Sequence, residues 1–546
     1  MRRKLDIVFA GIVTVALTGC GGGGSASSVS STPPPPPTSS THTNLTTYRD
    51  DLARDGADTT ESVLTPTNVN SSSFGLLRML TVDGKVDAQP LYLSQLSIAG
   101  AKHDVVFVAT ENDSVYALDP QTGATLWHVS LLGSGETPSD DRGCDQVTPI
   151  IGITATPVID RSAGANGIIY VVAMSLASAQ NSYHQRLHAL DVTTGAELLG
   201  GPMEIAALYP AAGGGSNTFD PSAYEERAAL LLENGTLYTA WTSHCDASPY
   251  TGWVIAYNGS TLAQTAVLNV AANSAGGGPA IWMAGGGPAA DSSGNVYLLT
   301  ANGVFDTTLD GNGFPGQGDY GNSFLKLTLS GATLSVADYF TMYNEVDESN
   351  GDTDLGSGGT LLLPDVSDSG GTTRHLMVGA GKDGNLYVVN RDSMGKFNPN
   401  NNAAIWQELP GVLGGGVWST PAYFNGAVYY GPQGGALRAF TLSNAMLSAA
   451  PTSQSAASFA YPGTAAAVSA SGTANGIVWA HENAGSGAAV LHAYDAANLA
   501  RELYNSAQAA NGRDSFGAAN KFITPTIADG KVLVGTASGV GVFGLL

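Results

Sequence analysis

Charged residues are scarce in this sequence. Only 12% of the 546 residues are charged, and 22 Lys and Arg stand against 45 Asp and Glu, which gives a net charge of −23. A surface this acidic repels polyanions, so the composition argues against a nucleic-acid partner and against adsorption to anionic lipid. The low charge, together with 70 glycines, is typical of short strands and tight turns rather than long surface helices.

Familiar catalytic motifs are also missing. The sequence contains no Walker loop, no Cys-x-x-Cys-His haem site, no His-Glu-x-x-His zinc site and no serine in a nucleophile elbow. No carboxylate pair stands out as that of a polysaccharide hydrolase. The nine histidines are scattered along the chain, which favours structural roles over metal binding. Single motifs therefore do not name a reaction.

Long apolar runs are absent as well. Residues 7–17 form a short apolar run that follows positive residues at 2–4, and the run is too short to span a bilayer as a helix. It leads into Leu17-Thr18-Gly19-Cys20, which resembles the lipobox of bacterial lipoproteins. The resemblance implies a signal peptide over residues 1–19 and a lipid on Cys20 that anchors the protein in a membrane. The alternative is an ordinary secretory signal with a chance cysteine.

A tether follows over residues 20–45, before a body over residues 46–546. The tether is rich in Gly and Ser, contains five consecutive prolines at 33–37 and has no apolar periodicity. Such composition favours an extended, solvated chain that lifts the body from the membrane. By the lipoprotein resemblance the protein lies in the bacterial cell envelope, and Gly21 after the cysteine favours the outer membrane.

Two further cysteines remain, Cys144 and Cys245. An even number of cysteines in an oxidising compartment favours a disulfide, and both occupy equivalent places in the repeat described next. Two unpaired buried thiols are the alternative.

One unit recurs along the body. Its clearest copy has an apolar strand at residues 105–109, a strand reading Ser-Val-Tyr-Ala-Leu-Asp at 114–119, a Thr-Gly turn at 122–123 and Trp127. A second copy spans residues 168–195, and weaker copies bring the total to eight. Each copy alternates apolar and polar residues over four to six positions, which indicates β-strands.

Eight such units predict an all-β, eight-bladed propeller of four-stranded antiparallel blades. A single unit cannot bury both of its faces, so the units must stack around an axis. The last copy stops after its third strand, and we expect residues 74–82 to supply the fourth. Strands from both chain ends would then close the ring and remove the exposed edge.

The Leu-Tyr-Ala-Leu-Asp, Thr-Gly and Trp pattern resembles the PQQ repeat of quinoprotein-like propellers. That family includes quinoprotein alcohol dehydrogenases and a bacterial outer-membrane assembly scaffold. The resemblance covers nearly the whole body, although only the first two copies match it sharply. It implies that the tryptophan packs between neighbouring blades.

The resemblance also implies a site with four members in family order. Trp282 takes the place of the tryptophan that stacks on the PQQ plane, and Asn302 that of a calcium ligand. Asp354 takes the place of the catalytic aspartate and is a second calcium ligand, and Lys382 takes the place of the basic residue that contacts the quinone. A quinone with three carboxylates suits a basic residue, an aromatic floor and a hard cation with oxygen ligands.

Two departures from the family weaken the enzyme interpretation. The family's paired cysteines are represented by Cys144 alone, and residues 243–248 contain no metal-binding glutamate, so Asp246 is the substitute at hand. A bridge between Cys144 and Cys245 would tie the equivalent loops together and is expected to narrow the site.

Two functional hypotheses follow. The first is a membrane-tethered binding or scaffold propeller whose partner is another envelope protein or a small molecule, and it predicts an exposed apolar patch for a protein partner. The second is a PQQ- and calcium-dependent dehydrogenase of an alcohol or sugar, which predicts that the four residues meet at one axial mouth. Each residue also has a structural alternative: inter-blade packing for Trp282, a turn cap for Asn302, and solvated loop positions for Asp354 and Lys382.

Overall fold

The computed structural model describes residues 43–211, 214–274, 277–482 and 487–546. The predicted signal peptide at residues 1–19, the lipidated Cys20 and the tether as far as residue 42 lie outside the described residues. Within the described ranges, no helix has both the length and the apolar character needed to cross a membrane.

The described residues form an eight-bladed propeller of mainly antiparallel sheets, which confirms the predicted fold. The first strand of each blade lies nearest the axis. The bounds for the first four blades are as follows. Blade 1 contains Leu91–Ile98, Ala101–Ala109, Ser114–Leu118 and Thr125–Ser130; blade 2 contains Val158–Asp160, Ile168–Ala177, Ser182–Asp191 and Met203–Glu204; blade 3 contains Leu231–Glu233, Thr236–Ser243, Trp253–Asn258 and Gln264–Asn269; blade 4 contains Ala289–Ala290, Val296–Leu299, Ser323–Ser330 and Thr333–Thr341.

The second half of the ring repeats this arrangement. Blade 5 contains Leu361–Leu362, Leu376–Gly379, Leu386–Asn390 and Gln407–Leu409; blade 6 contains Ala422–Phe424, Ala427–Tyr430, Gly435–Ser443 and Ser453–Phe459; blade 7 contains Ala467–Ser471, Ala474–Glu482, Val490–Asp495 and Asn498–Asn505; blade 8 contains Thr526–Ala528, Lys531–Thr536, Gly539–Leu545 and Phe74–Thr81.

Short elements occupy the connections. The additional two- to four-residue strands are Asn44–Leu45, Ala57–Asp58, Thr137–Asp140, Ile150–Ile151, Leu208–Pro210, Ser216–Thr218, Tyr224–Glu225, Val366–Ser367, Thr373–Arg374, Lys396–Phe397 and Met446–Leu447. One α-helical turn and four 3-10 turns complete the described elements: Glu345–Asn350, then Met283–Gly285, Leu355–Ser357, Ser506–Gln508 and Ala510–Gly512.

The repeat motif has a local physical cause. The Asp119 carboxylate accepts hydrogen bonds from the backbone of Gln121 (2.8 Å) and Thr122 (2.9 Å), and Gly123 adopts the positive φ of 77° that the turn requires. Trp127 then reaches the next blade, where its indole N–H donates to the Val192 carbonyl at 3.0 Å. The tryptophan thus joins neighbouring blades, as the repeat predicts.

The ring closes with strands from both ends of the body, as predicted. Phe74–Thr81 pairs antiparallel with Gly539–Leu545, with Phe74 opposite Leu545. A strand from the start of the body therefore completes the last blade and covers the edge of the C-terminal strand Gly539–Leu545.

A feature that the sequence did not indicate lies across one end of the axial channel. Residues 46–58, which we call the plug, run along the first strands of successive blades, and only Ala57–Asp58 at their end pairs with a blade, parallel to the first strand of blade 7. Backbone N–H groups of blades 4 to 7 donate to plug carbonyls, in the pairs Ala290 to Leu52, Leu362 to Ala53, Tyr423 to Asp55 and Val468 to Gly56.

Two buried arginines hold the plug in place. Arg49 donates to the carbonyls of Ala466 (2.9 Å) and Pro421 (2.6 Å). Arg54 donates to the Pro288 carbonyl (2.9 Å) and to Thr47 Oγ1 (2.7 Å). Each guanidinium therefore satisfies carbonyl groups that the channel wall would otherwise leave without donors.

Candidate functional site

The other end of the channel opens into a pocket of about 370 Å³, which we call the axial pocket. It is built by loops that precede the first strand of a blade and by loops between the second and third strands. All four residues predicted from the sequence line it: Trp282, Asn302, Asp354 and Lys382. These four residues, which are far apart in the sequence, thus meet at one axial mouth, as the enzyme hypothesis predicts.

Asp354 and Lys382 are direct neighbours. The Lys382 ammonium lies 2.9 Å from Asp354 Oδ2 and 3.0 Å from Asp352 Oδ1. The two loops touch because the Lys382 backbone N–H donates to the Asp354 carbonyl at 2.8 Å. A Cβ on Gly381 would lie 2.2 Å from that same carbonyl oxygen, so glycine is needed for the approach.

Asp354 is a buried carboxylate with one satisfied oxygen. The residue is 6% exposed, and Oδ1 is sealed from solvent without a hydrogen-bond partner among the described residues. Burial raises the pKa of Asp354 to about 6, against the opposing pull of the Lys382 ammonium. A carboxyl in this state can take up or release a proton near neutral pH.

Asn302 joins the same network from blade 4. It follows the strand Val296–Leu299, and its Nδ2 donates to Asp352 Oδ1 at 3.1 Å. Asp352 itself is exposed and adopts a positive φ of 55°. The side chains of Asn302 and Lys382 therefore converge on one aspartate at the pocket mouth.

Trp282 forms an aromatic wall whose ring is covered by a cation. The two residues after it, Met283 and Ala284, both have φ of 46°, which turns the chain sharply behind the indole. The Arg227 guanidinium lies over the Trp282 ring, 5.2 Å from its centroid, and 4.4 Å from the centroid of Phe522. The guanidinium is thus held by two aromatic rings.

The disulfide predicted between Cys144 and Cys245 is present, with Cα atoms 5.9 Å apart. It joins the loop before blade 2 to a loop of blade 3. The next residue after each cysteine, Asp145 and Asp246, lines the axial pocket, whereas the cysteines do not. The bridge therefore borders the pocket without filling it.

The donor set for calcium does not fit as the family resemblance implies. Lys382 already occupies the space between the carboxylates of Asp352 and Asp354. Asp246, the substitute for the missing glutamate, is bound to Ser243 Oγ at 2.9 Å and to the Tyr250 hydroxyl at 3.3 Å. Within the described ranges, no group of three or more His, Cys, Asp or Glu is arranged to hold a metal ion.

Sequence reasoning missed several pocket residues. Arg227, Trp418 and Phe522 each lie four residues before the first strand of blades 3, 6 and 8, and each lines the pocket. Ser357 has the same position before blade 5. An alignment of the eight repeats on their first strands would have identified this position as pocket-facing.

Two solved quinohemoprotein alcohol dehydrogenases have a similar fold. The chain resembles the quinohemoprotein alcohol dehydrogenase of Comamonas testosteroni with a TM-score of 0.60 and 14% identity, over 92% of this chain and 80% of that one. It resembles the quinohemoprotein alcohol dehydrogenase ADHIIG of Pseudomonas putida HK5 with a TM-score of 0.56 and 14% identity, over 92% and 79%. No family model and no curated protein match the sequence. The predicted quinoprotein-like resemblance is therefore confirmed for the fold.

Proposed function

We propose that this protein is a membrane-tethered binding protein of the bacterial cell envelope, which captures a small ligand in the axial pocket. The observation that carries the proposal is Asp354 Oδ1, which is buried in the pocket wall without a partner among the described residues. A buried polar atom left without a partner costs roughly 1–3 kcal/mol. Because Oδ1 is sealed from solvent, a ligand reaches it only after the Asp354 side chain turns toward the pocket. A ligand hydroxyl or amide that donates to Oδ1 there would remove this cost, so the ligand is expected to carry such a group.

Two features favour a small ligand over a protein scaffold. The plug blocks one end of the channel, so the pocket is blind and has a single entrance. The large apolar side chains that are exposed in the described ranges do not come from one blade alone. Leu199, Met203 and Leu208 belong to blade 2 or the segment just after it, whereas Leu77, Val304 and Met446 belong to blades 8, 4 and 6.

The second candidate is a PQQ- and calcium-dependent dehydrogenase of an alcohol or sugar. The position and pKa of Asp354, raised by burial to about 6, favour it, because a carboxylate of that pKa suits general-base catalysis. Calcium, however, would have to displace Lys382 from both carboxylates, and a quinone stacked on the same face of Trp282 would have to displace Arg227. We therefore derive no catalytic step through either group.

Isothermal titration calorimetry on the full-length protein tests both candidates. PQQ and a panel of sugars and polyols are titrated with and without calcium. Saturable binding that Trp282→Leu weakens, and that Trp406→Phe on the outer surface leaves unchanged, supports the axial pocket as a ligand site. Binding of PQQ only with calcium, followed by alcohol oxidation with an artificial electron acceptor, favours the dehydrogenase. Unaltered binding in Trp282→Leu, or no binding of any compound, contradicts the proposal.

A further inference from the structure

Arg227 is a buried cation that forms no ion pair within the described ranges. The buried Glu225 is its neighbour, but burial outweighs the attraction of Arg227 and raises the pKa of Glu225 to about 7. Arg227 is 3% exposed, and its Nη1 donates to Gln146 Oε1 at 3.2 Å. Its Nε is sealed from solvent and has no partner among the described residues, and none of the ion pairs in those ranges includes Arg227. A guanidinium carries five N–H donors, so most of its hydrogen-bonding capacity is unused.

We propose that Arg227 binds a carboxylate of the ligand, and that the axial pocket is therefore a site for an aromatic acid. This inference rests on the proposed function and names the chemical class of its ligand. The planar guanidinium fork matches a carboxylate with two parallel hydrogen bonds. Arg227 lines the pocket, so an anion that enters the pocket meets the guanidinium.

The aromatic part of the ligand is indicated by the pocket wall. The rings of Trp282 and Phe522 hold the guanidinium at 5.2 and 4.4 Å from their centroids and limit its reorientation. Trp418 and Tyr461 line the same pocket, with their ring centroids 5.2 Å apart. Aromatic walls beside a fixed cation suit a flat ring that ends in a carboxylate.

A second cation lies near Arg227. Lys521 is next to the pocket residue Phe522, and its pKa is lowered by burial and by repulsion from Lys85 and Arg227, against the attraction of Asp145 and Asp87. The cations on this side of the pocket repel one another, although four aspartates also line the pocket. A bound carboxylate would reduce this repulsion, because it places a negative charge among the cations.

The geometry also distinguishes this ligand from a stacked cofactor. Arg227 already covers a face of Trp282, so a flat cofactor would have to displace the guanidinium to stack there. A monocarboxylate that approaches the edge of the guanidinium requires no such displacement. The aromatic acid thus binds without displacing Arg227 from the Trp282 ring.

The first test compares 6-hydroxy-2-naphthoate with the neutral 6-hydroxy-2-naphthamide by calorimetry on the full-length protein, so that both probes carry a hydroxyl donor for Asp354 and differ only in the acid group. We expect saturable naphthoate binding at least about tenfold tighter than that of naphthamide. Arg227→Gln should abolish this preference, whereas Arg374→Gln should keep it. Arg374 is the matched control because its guanidinium lies over the Trp406 ring at 4.7 Å outside the pocket.

The outcomes separate this inference from the proposed function. Equal affinity for acid and amide, with both weakened by Trp282→Leu, overturns the carboxylate site and leaves the axial pocket as a ligand site. No binding of naphthoate to the wild type also overturns the aromatic-acid inference. Loss of the acid preference in Arg374→Gln as well would show that it does not arise at Arg227.

A second variant tests the role of Arg227 without any ligand. If the role of Arg227 is to bind an anion, it is a buried charge without an ion-pair partner in the ligand-free protein. Arg227→Met removes that charge and should raise the melting temperature of the ligand-free protein by about 2–4 °C. Naphthoate should then no longer raise that temperature, as we expect it to do in the wild type. A lowered melting temperature in Arg227→Met would assign the arginine a structural role and overturn the inference.

Discussion

Both ends of the axial channel contain buried arginines, but these arginines differ in how many of their N–H groups have hydrogen-bond partners. At the plugged end, Arg49 and Arg54 donate to main-chain carbonyls of several blades at 2.6–2.9 Å. At the open end, Arg227 donates to Gln146 Oε1 at 3.2 Å and forms no ion pair with a carboxylate among the described residues. Arginine side chains therefore satisfy main-chain carbonyls at the plugged end, whereas at the open end most N–H donors of Arg227 have no partner among the described residues.

This contrast separates structural from binding residues on physical grounds. Burying a guanidinium is costly unless its donors are paired, so a fully paired arginine stabilises the fold on its own. An unpaired one lowers stability until a ligand supplies the acceptor. The variants that follow test whether each end behaves accordingly.

The largest effect is expected at the plug. Arg54→Met removes the hydrogen bonds to Pro288 O, Tyr48 O and Thr47 Oγ1 and leaves buried acceptors without donors, which should lower the free energy of unfolding by about 4 kcal/mol. Urea unfolding measures the change. Arg501→Met is the control, because its ion pair with Asp495 is on the surface and should be worth less than about 1 kcal/mol. Similar losses of unfolding free energy in both variants would mean that the buried hydrogen bonds of Arg54 stabilise the protein no more than a surface ion pair does.

A smaller effect is expected at the rim of the open end. The bridge between Cys144 and Cys245 spans 101 residues, so replacing both cysteines with alanine should cost about 3 kcal/mol through the greater entropy of the unfolded chain. Urea unfolding measures the loss, and hydrogen exchange should rise in the two rim loops but not in residues 46–58. A reductant should destabilise the wild type and leave the double variant unchanged. Increased exchange in the plug would contradict the independence of the two ends.

The pH dependence of stability provides a test of Asp354. Its pKa is raised by burial to about 6, so folding takes up a proton and the stability of the wild type falls as pH rises from about 4 to 6. Asp354→Asn removes this dependence, and between pH 4 and pH 7 it should gain about 2 kcal/mol relative to the wild type. Urea unfolding at both values measures the difference. A difference that does not change with pH contradicts the assignment.

The smallest effect is expected at the boundary between the two ends. Tyr48 belongs to the plug, and its hydroxyl lies 3.4 Å from Thr420 Oγ1 and 3.4 Å from Thr524 Oγ1, just below the pocket. These hydrogen bonds are long, so Tyr48→Phe should cost less than about 1 kcal/mol and leave ligand affinity unchanged. Urea unfolding and calorimetry check both points. A large loss of affinity would mean that the plug takes part in binding.

The fold was predictable because the strands of each blade are visible as short, local patterns in the sequence. Period-two alternation identified the strands, and the incomplete last repeat identified residues 74–82 as the closing strand, within one residue of Phe74–Thr81. The plug escaped notice because residues 46–58 have no apolar alternation. Their contacts are main-chain hydrogen bonds and arginine donors, which leave no periodic signal in a sequence.

The candidate site was predictable only in part. The order of Trp282, Asn302, Asp354 and Lys382 matched a known family, and they meet in one pocket. Arg227 and Phe522 were missed because their loops are almost 300 residues apart, and only the ring brings them within 4.4 Å. Their functional roles depend on a ligand, which a sequence does not contain.

The plug also affects the order in which the protein can fold during synthesis. Residues 46–58 are synthesised before any blade, yet their partners extend through blades 4 to 7, and the closing strand Phe74–Thr81 awaits Gly539–Leu545 at the far end of the chain. The earliest residues of the body are therefore the last to reach their places. A chain that ends before residue 466 would lack a carbonyl that Arg49 binds and the backbone N–H of Val468 that donates to the plug, so the plug is anchored only after most of the ring has been made.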